Sequence, residues 1–104
     1  MNAASANPLR GEVELALASG AVRLRPSFAA LVAAEQELGS LPALLERVAG
    51  GDVRLADAAA LLWHCRTGDA FGERAAFEAA LAEAGLRRVL SAYRALLAAV
   101  FGGA

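Results

Sequence analysis

The side chains with the clearest chemical potential are His64 and Cys65, which are neighbours in the sequence. Successive side chains on a helix point about 100° apart, so a thiolate-imidazolium pair is not expected here. One cysteine and one histidine are too few for an intramolecular disulfide or for the roughly three or four protein ligands of a zinc site. We therefore expect no metal and no cofactor, and an exposed, inert imidazole at His64.

Carboxylates occur in two close pairs, Glu12 with Glu14 and Glu35 with Glu37, in segments that predict solvated or partly solvated side chains. No serine occupies a G-x-S-x-G elbow. The glycines before Asp52 lack the spacing and the following lysine of a phosphate-binding loop. The sequence therefore predicts a protein that is not an enzyme.

Charge and hydropathy exclude two further classes of partner. Ten arginines and eleven acidic residues give a net charge of −1, whereas nucleic-acid binding needs a concentrated cationic surface. No apolar run approaches the ~18 residues of a membrane span, and the N-terminus lacks the pattern of a secretory signal. We expect a cytoplasmic protein with a flexible lead-in over residues 1–10 and a single domain over residues 11–104.

The segment VELALASGAVRLRP alternates between apolar and polar residues, which predicts two strands joined by a turn at Ser19-Gly20. This register places Leu17 opposite Val22, Leu15 opposite Leu24, and Glu14 opposite Arg25. The apolar residues then share one face of the hairpin. They are Val13, Leu15, Leu17, Val22 and Leu24.

Helical periodicity begins after Pro26, where Ser27 is a candidate N-cap for a helix over Phe28–Leu38 that stops at Gly39. Its predicted apolar stripe contains Phe28, Leu31, Val32 and Leu38. Glu35 interrupts that stripe, and we interpret it as an edge carboxylate that reaches water or an arginine. A short second helix opens at Ser40 and Pro42, directs Leu41, Leu44, Leu45 and Val48 inward, and ends at Gly50-Gly51.

Three more helices are predicted over residues 55–67, 73–84 and 86–101. The third helix has apolar residues on most of its circumference, so we expect it to lie at the centre of the fold. Phe77 and Leu81 of the fourth helix point inward, and Gly85 ends that helix. The last helix carries a broad apolar stripe that consists of Leu86, Val89, Leu90, Tyr93, Leu96, Leu97, Val100 and Phe101.

These elements define an α+β fold that is mostly α, an N-terminal two-stranded antiparallel β-hairpin followed by a bundle of about five short helices. Two classes of function fit a domain without catalytic residues. One is a protein-binding module that works through its surfaces. The other is a structural subunit that assembles through the hairpin edge, because unpaired strand edges recruit further strands.

The order and spacing of four segments resemble those of the small tail proteins of gene transfer agents and tailed phages. The segments are ANPLRGEVELAL, VRLRPSFAALVAAEQELG, LADAAALLWHC and LAEAGL. Members of this family are called either tail tube proteins or tail assembly chaperones. The resemblance implies a structural carboxylate at Glu35, paired with an arginine or accepting backbone N–H bonds, and it carries over no active site.

Between the two roles that the resemblance implies, the size and the predicted elements of this chain favour the chaperone. Tail tubes of long-tailed phages are built from β-sandwich-like subunits, whereas this sequence predicts one hairpin and five helices. A chaperone of this kind coats the tape-measure protein until the tube forms. The expected partners are therefore the tape-measure protein and, as a further candidate, the tail tube protein; self-association and presence in the virion are left open.

A helix-binding surface on this protein would use apolar residues that a partner helix can reach. The stripe of the terminal helix near Tyr93, Leu97 and Phe101, or a groove between helices, is the predicted partner-binding site. The same residues would equally serve as ordinary core. Both interpretations stand at the level of the sequence.

Overall fold

In the computed structural model, which describes residues 11–68 and 71–102, a two-stranded sheet is followed by five helices. The predicted lead-in over residues 1–10 lies outside the described residues. The elements are β1 (Val13–Leu17), β2 (Gly20–Leu24), α1 (Phe28–Leu38), α2 (Leu41–Ala49), α3 (Leu55–Cys65), α4 (Arg74–Ala84) and α5 (Leu86–Phe101). The predicted fold class is confirmed.

The hairpin forms with a register two residues away from the predicted one. Leu17 lies opposite Gly20, and Glu14 lies opposite Arg23, so the expected pairings of Leu17 with Val22, Leu15 with Leu24 and Glu14 with Arg25 are wrong. A tight turn centred on Ser19-Gly20 would require a positive φ at Ser19. The chain instead turns at Ala18-Ser19, and Gly20 takes the positive φ of 131° as the first residue of β2.

A shift of two residues preserves the faces of both strands, because side chains alternate with a period of two. The shared apolar face is therefore confirmed. Leu15, Leu17, Val22 and Leu24 are all buried in the core. Arg25, the predicted partner of Glu14, lies instead beside Glu12, with 4.0 Å between Arg25 Nε and Glu12 Oε2.

Serine caps and glycine stops fix the first two helices as predicted. The hydroxyl of Ser27 accepts a hydrogen bond from Ala30 N, and that of Ser40 accepts one from Ala43 N, both at 3.2 Å. Such caps satisfy backbone donors that a helix start leaves free. Gly39 ends α1 with a φ of 82°, a backbone conformation that residues other than glycine rarely adopt.

Helix α3 lies at the centre of the core, as its apolar circumference predicts. It packs against α1, α4 and α5. Its buried residues are Ala58, Ala60, Leu61, Leu62 and Cys65. At its end, Cys65 O accepts a 2.7 Å hydrogen bond from Arg25 N, which joins the helix core to the hairpin.

The stripe predicted for α1 matches the face that the helix buries only in part, because Leu31 and Leu38 pack against the core but Phe28 and Val32 do not. Ala34 is fully buried, whereas Phe28 is 84% exposed and Val32 is also exposed. At about 100° per residue, Ala34 points about 120° away from Phe28 around the helix axis. Leu31 and Leu38 lie within about 60° of Ala34, so these three residues form the inward face of α1, and Phe28 and Val32 lie outside it.

The corner between α1 and α2 is closed by Glu35. Its Oε2 accepts a 2.9 Å hydrogen bond from Leu41 N, the first residue of α2. The structural carboxylate is thus confirmed in its backbone-accepting form.

No single helix among the described residues has the length and hydropathy of a membrane span. Helices α1 and α2 reach these values only when taken together, across a 73° bend.

Replacing Glu35 with alanine should lower the free energy of unfolding by about 1 to 2 kcal/mol, because a charged acceptor of a backbone N–H is lost. Urea denaturation of Glu35→Ala measures this change. Glu35→Gln keeps an acceptor oxygen and should recover about half of the loss. Gln36→Ala, at the exposed neighbouring position, is the matched control. A similar loss of stability in that variant would contradict the role of the Glu35 carboxylate as acceptor for Leu41 N.

Candidate partner-binding surface

The first candidate surface is a groove of about 220 Å³ where α1, α2 and the end of α5 meet. We call it the Phe28 groove. It is lined by Phe28, Leu31, Val32, Glu35, Leu41, Pro42, Val100 and Phe101. Phe101 is 36% exposed, so two aromatic side chains stand at the surface with a single carboxylate among otherwise apolar neighbours.

The exposure of Phe28 follows from its place in the chain. It is the first residue of α1, directly after the Ser27 cap, and the buried face of the helix lies on another side. An exposed phenylalanine forgoes about 1.5–3 kcal/mol of burial free energy. Contiguous exposed apolar residues are a common mark of interaction surfaces.

A second apolar groove, the Leu55 groove, lies where α3, α4 and the start of α5 meet and has a volume of about 360 Å³. Leu55 is 49% exposed and Leu86 is 53% exposed. Leu86 belongs to the apolar stripe predicted for the last helix, and both residues lie in the first turn of a helix. The core contacts of those helices begin farther along, at Ala58 and Val89.

The structure separates the three residues predicted for partner binding. Tyr93 and Leu97 lie in the core, whereas Phe101 lines the Phe28 groove. In this conformation a partner reaches Phe101 alone of the three. Phe28 and Val32 complete the same surface, and sequence reasoning missed them because their helical stripe was expected to be buried.

The hydroxyl of Tyr93 is buried, and none of the described residues offers it a hydrogen-bond partner. Burial raises the pKa of Tyr93 to about 12, with the negative charge of Asp57 adding to the shift. Asp57 is itself held by Arg47, whose Nη2 donates to Asp57 Oδ2 at 3.0 Å. The phenol therefore stays neutral and serves through its ring.

His64 takes part in a charge cluster, so the prediction that its imidazole is exposed is wrong. His64 is partly buried, and its Nε2 lies 2.9 Å from Glu37 Oε1. Arg74 donates to both oxygens of Glu37, at 2.8 and 2.6 Å, and its Nε donates to Glu78. Glu37 thus ties α1 to α3 and α4.

The charge cluster has the features of a structural link. Hydrogen bonds from Arg74, the larger contribution, and from His64 lower the pKa of Glu37 from 4.5 to about 2.

Cys65 is buried, and burial raises the pKa of its thiol to about 12, so the reactive thiolate is not populated near neutral pH. Within residues 11–68 and 71–102, no group of three metal-ligating side chains comes together.

Comparison with known proteins identifies the family. Residues 10–103 match the family described as "Phage tail tube protein, GTA-gp10", so the chain belongs to this family of phage tail tube and tail assembly chaperone proteins. It is thus a tail protein of the phage and gene transfer agent type, from a family that is typically not catalytic. No curated protein and no solved structure matches the chain.

Replacing Tyr93 with phenylalanine should leave the free energy of unfolding unchanged or raise it by up to about 1 kcal/mol, because a buried hydroxyl without a partner is removed. Thermal and urea denaturation give this value. The contrasting variant Leu97→Ala should lose about 2–5 kcal/mol by creating a cavity. A clear loss in Tyr93→Phe would show that the hydroxyl makes a stabilising bond.

The Glu37 cluster should make stability depend on acid pH. Because folding lowers the pKa of Glu37 from 4.5 to about 2, its contribution is present above pH 4.5 and is lost as the pH falls toward 2. The difference in unfolding free energy between the wild type and Glu37→Gln should therefore shrink over this interval. For Glu83→Gln, at an exposed site, the difference from the wild type should not change with pH. If the difference for Glu37→Gln were also constant with pH, the ion pair of Glu37 with Arg74 would not be stabilising the fold.

Proposed function

We propose that this protein is a tail assembly chaperone that binds helices of the tape-measure protein before the tail tube forms around them. The observation that carries the proposal is the exposed aromatic pair of the Phe28 groove in a protein of this family. The proposed site keeps Phe101 from the sequence prediction and adds Phe28 and Val32. Tyr93 and Leu97 are buried in the core and are not part of the proposed site.

The groove suits the apolar face of an amphipathic helix. Such helices bind by placing a few large side chains, spaced three or four residues apart, into a hydrophobic groove. Aromatic residues often supply most of the binding free energy at such contacts. Phe28 and Phe101 lie on different helices, so a bound helix would bridge α1 and α5.

A noncatalytic role agrees with the chemistry of the described residues. Cys65 is buried in the core and His64 makes a hydrogen bond with Glu37, and the proposed mechanism forms and breaks no covalent bond. We place this activity in the cytoplasm of the bacterial host, where tape-measure chains are made. The tail tube protein is a second proposed partner, because tube assembly must displace the chaperone.

Co-expression with the tape-measure protein of the same tail gene cluster tests the proposal. The wild type should co-purify with it, and Phe28→Asp combined with Phe101→Asp should reduce the recovered complex at least tenfold, since two apolar anchors worth about 1.5–3 kcal/mol each are lost. The melting temperature should change little for Phe28→Asp, whose side chain is exposed.

The matched control is Leu55→Asp combined with Leu86→Asp, which places the same charges on two exposed residues of the Leu55 groove. This variant should retain the complex. Loss of the complex in the control alone would move the site to the Leu55 groove. Failure of the wild type to form any complex would refute the chaperone proposal.

The alternative is a structural tail subunit that assembles through the hairpin edge. The outer edge of β1 is the feature in its favour, because the backbone of Glu14 has no hydrogen-bond partner there among the described residues. The sheet of two strands that those residues form nevertheless falls short of a β-sandwich. Electron microscopy of the purified protein separates the two roles. Rings or tubes formed by the protein alone would favour the structural subunit.

A further inference from the structure

The two outer edges of the hairpin are in different states. On the β2 side, Arg23 O accepts hydrogen bonds from both N and Oγ1 of Thr67, each at 2.9 Å, and Arg25 N donates to Cys65 O. The chain segment that follows α3 therefore pairs with β2 as a third strand would. This edge is closed.

On the β1 side, the backbone of Glu14 has unused hydrogen-bonding groups. Glu14 lies opposite Arg23, whose carbonyl points away from the hairpin. Two residues along β1, the carbonyl of Ala16 also points outward and accepts a hydrogen bond from Arg88 Nη1 at 3.2 Å. By the alternation of a strand, the N–H and C=O of Glu14 point to the same outer side. No hydrogen bond from another described residue reaches them.

Beside this edge lies a third groove, larger than the Phe28 and Leu55 grooves, with a volume of about 440 Å³. We call it the β1 groove. It runs between Val13–Leu15 of β1 and the start of α5, where Arg87, Arg88 and Ser91 line it. It shares no residue with the Phe28 groove, so its role is separate from the proposed function.

The β1 groove has an excess of positive charge, because Arg87 and Arg88 line it together with one acidic residue, Glu14. Arg87 and Arg88 are exposed, and no acidic side chain among residues 11–68 and 71–102 pairs with either. Both lie in the first turn of α5, which contains no acidic residue. Cations at a helix start are disfavoured by the helix dipole, so a negative group bound here would relieve an unfavourable arrangement.

We infer that the β1 groove binds an extended, acidic segment of another protein, which adds a strand to the sheet along β1. The backbone of Glu14 would supply hydrogen bonds, and Arg87 and Arg88 would select acidic side chains. The Glu14 carboxylate stands on the solvent face of the sheet, whereas α5 packs on the face that buries Leu15. The acidic side chains of the added strand therefore lie on the face of Leu15 and point toward α5.

A second copy of this chain fits the groove less well. Two copies that met through their β1 edges would bring the arginines of both α5 helices to one interface. Like charges placed together at an interface oppose binding. The same charges favour an acidic strand.

Fluorescence anisotropy of the full chain with a labelled peptide of about nine residues, alternating valine and aspartate, tests this inference. The peptide should bind the wild type, and Arg87→Glu combined with Arg88→Glu should weaken binding at least about tenfold. Arg94→Glu, at an exposed position of α5 outside the groove, is the matched charge control and should bind as the wild type does.

Two further arms test the strand geometry. Glu14→Pro removes the outward N–H at an edge position where proline is tolerated, and it should abolish binding while circular dichroism remains that of the wild type. Equal binding of a peptide with lysine in place of aspartate, or equal weakening by Arg94→Glu, would overturn the inference. A dimer in sedimentation that Glu14→Pro dissociates, without peptide binding, would assign the edge to a second copy.

Discussion

The burial of α3 is the constraint on which the rest of the structure depends. Side chains on a wide arc of this helix, from Ala60 through Leu61 to Leu62, are removed from water, so neighbours must cover it on several sides. Helices α1, α4 and α5 provide that cover. The backbone bond from Arg25 N to Cys65 O then fixes the hairpin to the end of the same helix, so sheet and bundle share one core.

Close packing through alanine has a consequence for the surface. Ala34, Ala58 and Ala92 are buried at helix contacts, and small residues there let the helices approach closely. Larger apolar residues such as Phe28 and Leu86 then fall outside the contact area. The resulting apolar grooves are a by-product of the way the core is filled, and they give the protein surfaces suited to holding other chains.

The charged residues act mainly as links between elements. Glu35 joins α1 to the start of α2, and Glu37 joins α1 to His64 and Arg74. The groups that first suggested chemistry in the sequence are thus used for stability. Arg87 and Arg88 differ, because they are exposed cations without an acidic partner among the described residues, and they border the open edge of β1.

Local signals in the sequence determined the fold class and the limits of the first two helices. Ser27, Ser40 and Gly39 act within a few residues of their own positions, so their roles could be predicted without knowledge of the tertiary contacts. The alternation of β1 and β2 likewise determined which face of the hairpin is buried. The register could not be predicted, because turns at Ala18-Ser19 and at Ser19-Gly20 both agree with the alternation, and the registers that they produce differ by two residues.

Only the tertiary structure decided which apolar residues are covered. Periodicity gives each helix an apolar stripe, but the contact between two helices is centred by whichever residues allow the closest approach, and here these are often alanines. Leu55 and Phe101 therefore share stripes with core residues yet lie at the surface, as Phe28 does, while Tyr93 and Leu97 are buried. The sequence by itself determined the elements; long-range packing determined the surfaces available to a partner.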